Sequence, residues 1–152
     1  MKSEPDASRL AAWRSFLEAH ARVTSVLEEE LEAEKDLPLT WYDVLVQLEE
    51  SAEHRLRMTD LAGAVLLSKS GLTRLIDRMC GAGLVERAPD PFDRRGTYVI
   101  LTTAGYDRLQ DAAPVHMRGV EEHFARYLSD AETAAIHEGF TRVLEGVQSR
   151  LR

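Results

Sequence analysis

Ser68-Lys69-Ser70-Gly71-Leu72-Thr73-Arg74-Leu75-Ile76-Asp77-Arg78-Met79 reads as a helix with two chemically different faces. Leu72, Leu75, Ile76 and Met79 recur at one side of a 3.6-residue turn and predict a packed face. The opposite side presents Ser70, Thr73, Arg74 and Asp77, with Lys69 and Arg78 flanking, so donors and cations are gathered there. Ser68 has the chemistry of an N-cap, and Gly83, just beyond Gly81, that of a left-handed terminator. Upstream, Thr59 opens a short helix to about Val65, with Leu61, Ala62 and Val65 facing inward, and Leu66-Leu67-Ser68 is left as a tight connection. Downstream, Leu84–Ala88 and Thr97–Leu101 are β-rich runs separated by Pro89-Asp90-Pro91-Phe92-Asp93-Arg94-Arg95-Gly96, a hairpin with a long loop carrying adjacent arginines. Two short helices, a tight turn and then a hairpin predict a winged helix-turn-helix, a mainly α fold with a small β component (α+β).

The flanks are helical. From Ala7 to about Glu34 the apolar stripe is Leu10, Trp13, Phe16, Leu17, His20, Val23, Leu27 and Leu31, ended by Asp36 and Pro38. Thr40 is placed to cap a second helix to about Ser51, with Asp43 three residues on and Trp41, Val44, Leu45 and Leu48 as its core side. After Thr102 a helix is expected to about Leu128, kinked or broken near Pro114. Ser129-Asp130-Ala131-Glu132 is a capping box for a last helix striped by Ile136, Phe140, Val143, Val147 and Leu151. The helical flanks, residues 1–38 and 103–152, are expected to pair two chains, leaving 39–102 as the winged helix-turn-helix region of a single 1–152 domain. Their stripes have no partner inside so small a module, and a second copy would bury them.

Composition narrows the class. The chain has 152 residues, is 44% hydrophobic and 30% charged, and holds one cysteine, Cys80. No apolar run reaches membrane-spanning length, and the start Met1-Lys2-Ser3-Glu4-Pro5-Asp6 lacks signal-peptide character; with a lone cysteine, a cytoplasmic location is expected. The net charge of −7 is unevenly spread. Residues 54–97 carry 8 Lys and Arg against 5 Asp and Glu, whereas residues 1–53 carry 5 against 13 and residues 98–152 carry 6 against 8. A phosphate backbone responds to local potential within about 8–10 Å, not to total charge. An acidic protein with a basic middle is therefore compatible with nucleic acid.

With these pieces in order, the sequence resembles the MarR family of bacterial transcription regulators from about Leu39 to Leu109. Asp93-Arg94-Arg95, five further residues, and then Leu101-Thr102-Thr103-Ala104-Gly105 are similar to that family's wing signature. Ser68–Met79 is similar to its recognition helix, and Gly83-Leu84-Val85 to its helix stop. Cys80-Gly81-Ala82 departs from the helix-favouring residues usual there, which predicts a weak last turn. The resemblance implies a homodimer with interleaved terminal helices that binds double-stranded DNA at inverted-repeat operators, most often as a repressor. In many members a small phenolic or aromatic acid releases the DNA.

On that reading, Ser70, Thr73 and Arg74 face base edges in the major groove, Arg74 being suited to a bidentate bond with guanine. Ser68, Lys69 and Arg78 position phosphates. Arg94 and Arg95 suit a wing tip in the minor groove, with Arg95 the inserted one by family position, and Asp93 orients an arginine rather than touching DNA. Trp13, Arg14, His20 and Trp41, near the family's effector pocket, could hold an aromatic carboxylate, although tryptophans at helical spacing are more often plain packing. Cys80 has no evident resolving partner and reads as a structural thiol. His20, His54, His116, His123 and His137 are dispersed without metal-ligand spacing, so no metal and no cofactor are expected. Glu28-Glu29-Glu30-Leu31-Glu32 reads as a solvated face. No nucleophile elbow, phosphate loop or acid/base pair suggests an enzyme. The arginine-rich wing argues against a winged fold kept only for partner docking.

Overall fold

The computed structural model describes residues 4–65 and 69–150, without the side chain of Lys69. The order is α1 (Ala7–Lys35), α2 (Leu39–Glu49), β1 (Arg55–Arg57), α3 (Met58–Ala64), α4 (Lys69–Gly81), β2 (Val85–Pro89), β3 (Thr97–Leu101), α5 (Thr103–His123) and α6 (Asp130–Gln148). The chain is mainly helical with one small antiparallel sheet, as the sequence pattern predicts. It divides into two compact units, one spanning Leu27–His116, the other formed by the chain up to Val26 and from Met117 onward.

The Leu27–His116 unit is built around one apolar cluster. Val44, Leu45 and Leu48 of α2, Leu61 of α3, Leu72, Leu75, Ile76 and Met79 of α4, Val85 and Val99 of the sheet, and Leu109, Ala112 and Val115 of α5 are buried together. The sheet order is β1-β3-β2, with Leu56 opposite Val99 and Arg87 opposite Val99 on the other side. β1 went unread in the sequence because its Arg55-Leu56-Arg57 alternation covers only three residues. A strand that short gains its stability from pairing, which no local pattern reveals.

Helix ends explain several differences from expectation. Asp36 closes α1 in the left-handed region (φ 49°), and the Arg108 guanidinium of α5 donates to the free carbonyls of Lys35 (2.5 Å) and Asp36 (3.0 Å). Thr40 is not the cap of α2. Pro38 occupies that position and Thr40 lies inside the first turn, so Tyr42 turns into the core (5% exposed) and Trp41 packs half-buried at its edge. α3 begins at Met58, one residue before Thr59, directly out of β1. α5 runs on through Pro114 without a break but stops at His123, followed by a 3-10 turn over Ala125–Tyr127. One lost backbone hydrogen bond at Pro114 is outweighed by burial of Leu109, Ala112 and Val115 around it. Ser129 and Glu132 form the expected capping box of α6, and the bonds from the Ser129 backbone and hydroxyl hold the Glu132 carboxyl below its ordinary pKa.

Along the N-terminal part of α1 and on α6 the predicted stripes are open. Leu10, Trp13, Phe16 and Leu17, and Phe140, Val143 and Val147, are all exposed. Within the unit that holds both, the Phe16 and Phe140 rings meet at a 52° tilt with centroids 4.9 Å apart. Leu151 lies outside the described residues.

Candidate nucleic-acid interface

The surface begins with α4. Leu72, Leu75, Ile76 and Met79 are at most 3% exposed, which fixes the rotation of the helix and turns Ser70, Thr73, Arg74, Asp77 and Arg78 outward. The weak last turn expected from Cys80-Gly81-Ala82 is instead closed by hydrogen bonds. The Leu84 N–H donates to the Met79 carbonyl (3.1 Å) and the Gly83 N–H to that of Cys80 (3.0 Å), with Gly83 at φ +76°. This is a Schellman stop, which glycine enters without a Cβ penalty. Ser68 lies outside the described residues, and Lys69 is placed only by its backbone in the first turn of α4.

Next to that stop, α5 begins. Thr102 donates its hydroxyl to the Gly83 carbonyl (2.7 Å) and its N–H to that of Leu84 (3.2 Å), and its Oγ1 accepts the Gly105 N–H (3.0 Å). Gly105 is required by space: a Cβ there would sit 2.1 Å from the Leu84 oxygen. The Leu-Thr-x-x-Gly run is thus the joint between α4 and α5.

The wing is a tied loop. The Asp90 carboxylate, with no side-chain exposure, is ion-paired with Arg57 of β1 and accepts the Phe92 N–H at Oδ1 (2.9 Å). Asp90 and Gly96 pair across the loop base (3.0 Å). Arg55 and Arg57 stand 4.8 and 5.8 Å from the centre of the Tyr98 ring, and a hydrogen bond to Tyr98, then the charge of Asp90, raise the pKa of the Arg57 guanidinium. Asp93 meets the backbone of Arg95 and not its charge: Oδ1 accepts the Arg95 N–H (3.0 Å) rather than the guanidinium. Arg94 and Arg95 are exposed at the tip.

Pairing sorts the basic residues of this unit. Arg55 is bridged to Glu53, Arg57 to Asp90, and Arg87 to Asp77. Among the described residues, the guanidinium groups of Arg74, Arg78, Arg94 and Arg95 carry no ion pair. A cleft of about 460 Å³ lies between helix and hairpin, lined by Met58, Ser70, Leu72, Thr73, Asp77, Arg87 and Thr97. Sequence reading missed Arg55, Arg57, Arg87, Asp90 and Tyr98. The period-two alternation of Arg55-Leu56-Arg57 was the one available signal for the first pair.

The other residues singled out from sequence are divided. Trp13, Arg14 and His20 are exposed on α1, with Phe16 between the first and last of them: ring centroids are 5.8 Å from Trp13 and 6.1 Å from His20. Trp41 belongs to the other compact unit, packed at its core. Cys80 is a half-buried free thiol at the core margin. Among the described residues no helix is long and apolar enough to cross a membrane.

A recognition-type helix closed by a glycine stop, preceded by a short helix and followed by an arginine-tipped hairpin, defines a winged helix-turn-helix protein. The family model that matches, over residues 35–96, is that of the MarR family. AbsC, a MarR family transcriptional regulator from Streptomyces coelicolor, is 33% identical, with 97% of this chain and 99% of that one covered at a TM-score of 0.86. Sco3205, a MarR family regulator from the same organism solved in complex with DNA, is 32% identical, with 97% and 92% covered at a TM-score of 0.87. The HTH-type transcriptional repressor YetL of Bacillus subtilis (strain 168) is 29% identical over 127 residues, 84% of this chain and 75% of its own length. The chain belongs to the MarR family, whose members are transcriptional regulators rather than enzymes.

Proposed function

We propose that this regulator is a sequence-specific repressor that binds an inverted-repeat operator as a homodimer and is released by a small aromatic acid. The observation that carries the DNA-binding reading is the sorting of charge: among the described residues of the Leu27–His116 unit, the guanidinium groups left without carboxylate partners are those of Arg74 and Arg78 on α4 and of Arg94 and Arg95 at the wing tip. Arg74, with Ser70 and Thr73, reads base edges; Lys69, Ser68 and Arg78 set register on phosphates; Arg94 and Arg95 enter the minor groove. That Sco3205 was solved with DNA, and that YetL is a repressor, supports the same assignment.

The dimer reading rests on the open stripes of α1 and α6, where Trp13, Leu17, Phe140, Val143 and Val147 leave apolar surface in water. Residues 39–102 then form the DNA-binding region, with 1–38 and 103–152 pairing the chains. Two reading heads one helical turn apart, about 34 Å, demand half-sites in that register. An effector acid would be held by the aromatic row of Trp13 and His20 with Arg14 on α1.

The test is a titration of the intergenic DNA upstream of the protein's own gene, over a salt series, with sedimentation to count chains. A dimer with strongly salt-dependent binding is expected. Arg74→Ala should cost about 1–3 kcal/mol and relax one base preference, and Arg95→Ala should lower the salt slope by about 1. Salt-insensitive affinity, or a stable single chain, contradicts the proposal. Titrating aromatic acids into the complex tests the release step.

A further inference from the structure

The wing carries a residue that neither its charge nor its fold accounts for. Phe92 is 93% exposed, the most exposed large apolar side chain among the described residues. It is not a floppy loop residue by geometry. Its N–H is held by the buried Asp90 carboxylate (2.9 Å), Pro91 before it has a ring-fixed φ, and Asp93 next to it folds back on the N–H groups of Arg95 (3.0 Å) and Gly96 (2.9 Å). Gly96 lets the loop base close this tightly, since a Cβ there would lie 2.9 Å from that of Asp90. The loop therefore fixes the backbone from which the ring projects into solvent.

The surroundings specify what the ring meets. Pro91, Asp93, Arg94 and Arg95 around it are exposed, and no second large apolar side chain of the loop extends it into a patch of protein-interface size. The two arginines have no carboxylate partners and draw an anion. A polyanion that also offers apolar walls matches both features, and the minor groove, lined by deoxyribose carbons and base edges between two rows of phosphate, is such a surface.

We propose that Phe92 is an uncharged DNA contact of the wing: its ring enters the minor groove beside Arg95 and packs on deoxyribose and base edges. This rests on the DNA-binding reading above and adds to it a residue whose contribution is independent of counterion release.

The full chain is tested against a duplex enriched from a random-sequence pool by the wild-type protein, with affinity read by fluorescence anisotropy over a salt series. Phe92→Ala is expected to bind about tenfold more weakly with an unchanged slope of log affinity on log salt. Phe92→Leu keeps most of the affinity, and Arg95→Ala lowers the slope by about 1. The unfolding midpoint of Phe92→Ala should equal that of the wild type, because the ring touches so little of its own protein. Wild-type affinity in Phe92→Ala, or a weakened affinity accompanied by a changed slope, overturns the inference while leaving the regulator reading intact. If the wild-type chain enriches no duplex at all, the regulator reading falls and the inference with it.

Discussion

Arg87 of β2 places Nη1 2.5 Å from Oδ1 of Asp77 on α4, and its other nitrogen donates to the Thr73 carbonyl (3.3 Å). The hairpin is thereby latched to the exposed side of the helix that carries Arg74. The latch neutralises one carboxylate on a surface otherwise left cationic, at the expense of one cation.

Asp77→Asn should separate the two roles of that pair. Both partners are well exposed, 34% for Arg87 and 57% for Asp77, so stability should change by less than about 1 kcal/mol. Arg87, set free, should make the salt dependence of DNA binding steeper by about one unit of slope. Anisotropy titrations of both proteins over the same salt series check this.

Glycine replacements at two nearby positions should differ sharply. Gly105→Ala drives a methyl to 2.1 Å from the Leu84 oxygen, a backbone atom that cannot step aside, and should cost about 3 kcal/mol or more. Gly83→Ala meets nothing within 4 Å and suffers only its left-handed φ of +76°, a penalty of about 1 kcal/mol. Urea unfolding of the two variants measures the gap.

The wing anchor should be asymmetric. Asp90 has no side-chain exposure, while Arg57 keeps 40%. Removing Asp90 lets Arg57 return to water and loses the bond to the Phe92 N–H, about 2 kcal/mol in all. Removing Arg57 strands a buried carboxylate, so Arg57→Ala should be the more damaging variant in thermal unfolding.

Acid sensitivity should trace to His116. Its ring lies on that of Tyr42, with centroids 4.5 Å apart. Burial lowers its pKa below the ordinary value of 6.5, partly opposed by the Asp43 carboxylate. The unfolded chain therefore takes up the proton first, and the stability gained from keeping His116 neutral is present above about pH 6.5 and lost as pH falls from there toward the folded-state value. Burial raises the pKa of Asp43, so its contribution runs the opposite way, growing as acid protonates it. Urea midpoints from neutral pH to about pH 5 should decline for the wild type and flatten in His116→Gln.

The sequence was most legible where one chemistry decided one feature. The 3.6-residue spacing of Leu72, Leu75, Ile76 and Met79 sets the rotation of α4, and with it the outward placement of Arg74. Ser129 and Glu132 marked the start of α6 in the same way. What escaped notice depends on partners distant in the chain. Asp90 looked like one more loop aspartate, because its role is fixed by Arg57, a residue of a strand too short to announce itself. Thr40 had cap chemistry, but Pro38 already fixed the entry conformation two residues earlier, and the first turn formed around it. Asp93 was expected to orient an arginine through its charge, whereas the atom it holds is the backbone N–H of Arg95, which residue types do not reveal.

One hydroxyl, that of Thr102, bonds the carbonyl that ends α4 and the amide that starts α5, and Gly105 lets the two backbones touch. The junction has no slack: it is a weld, not a hinge. Because backbone atoms join the end of α4 to the start of α5, a rotation of the first turns of α5 would be expected to turn α4 with it and to re-aim Arg74.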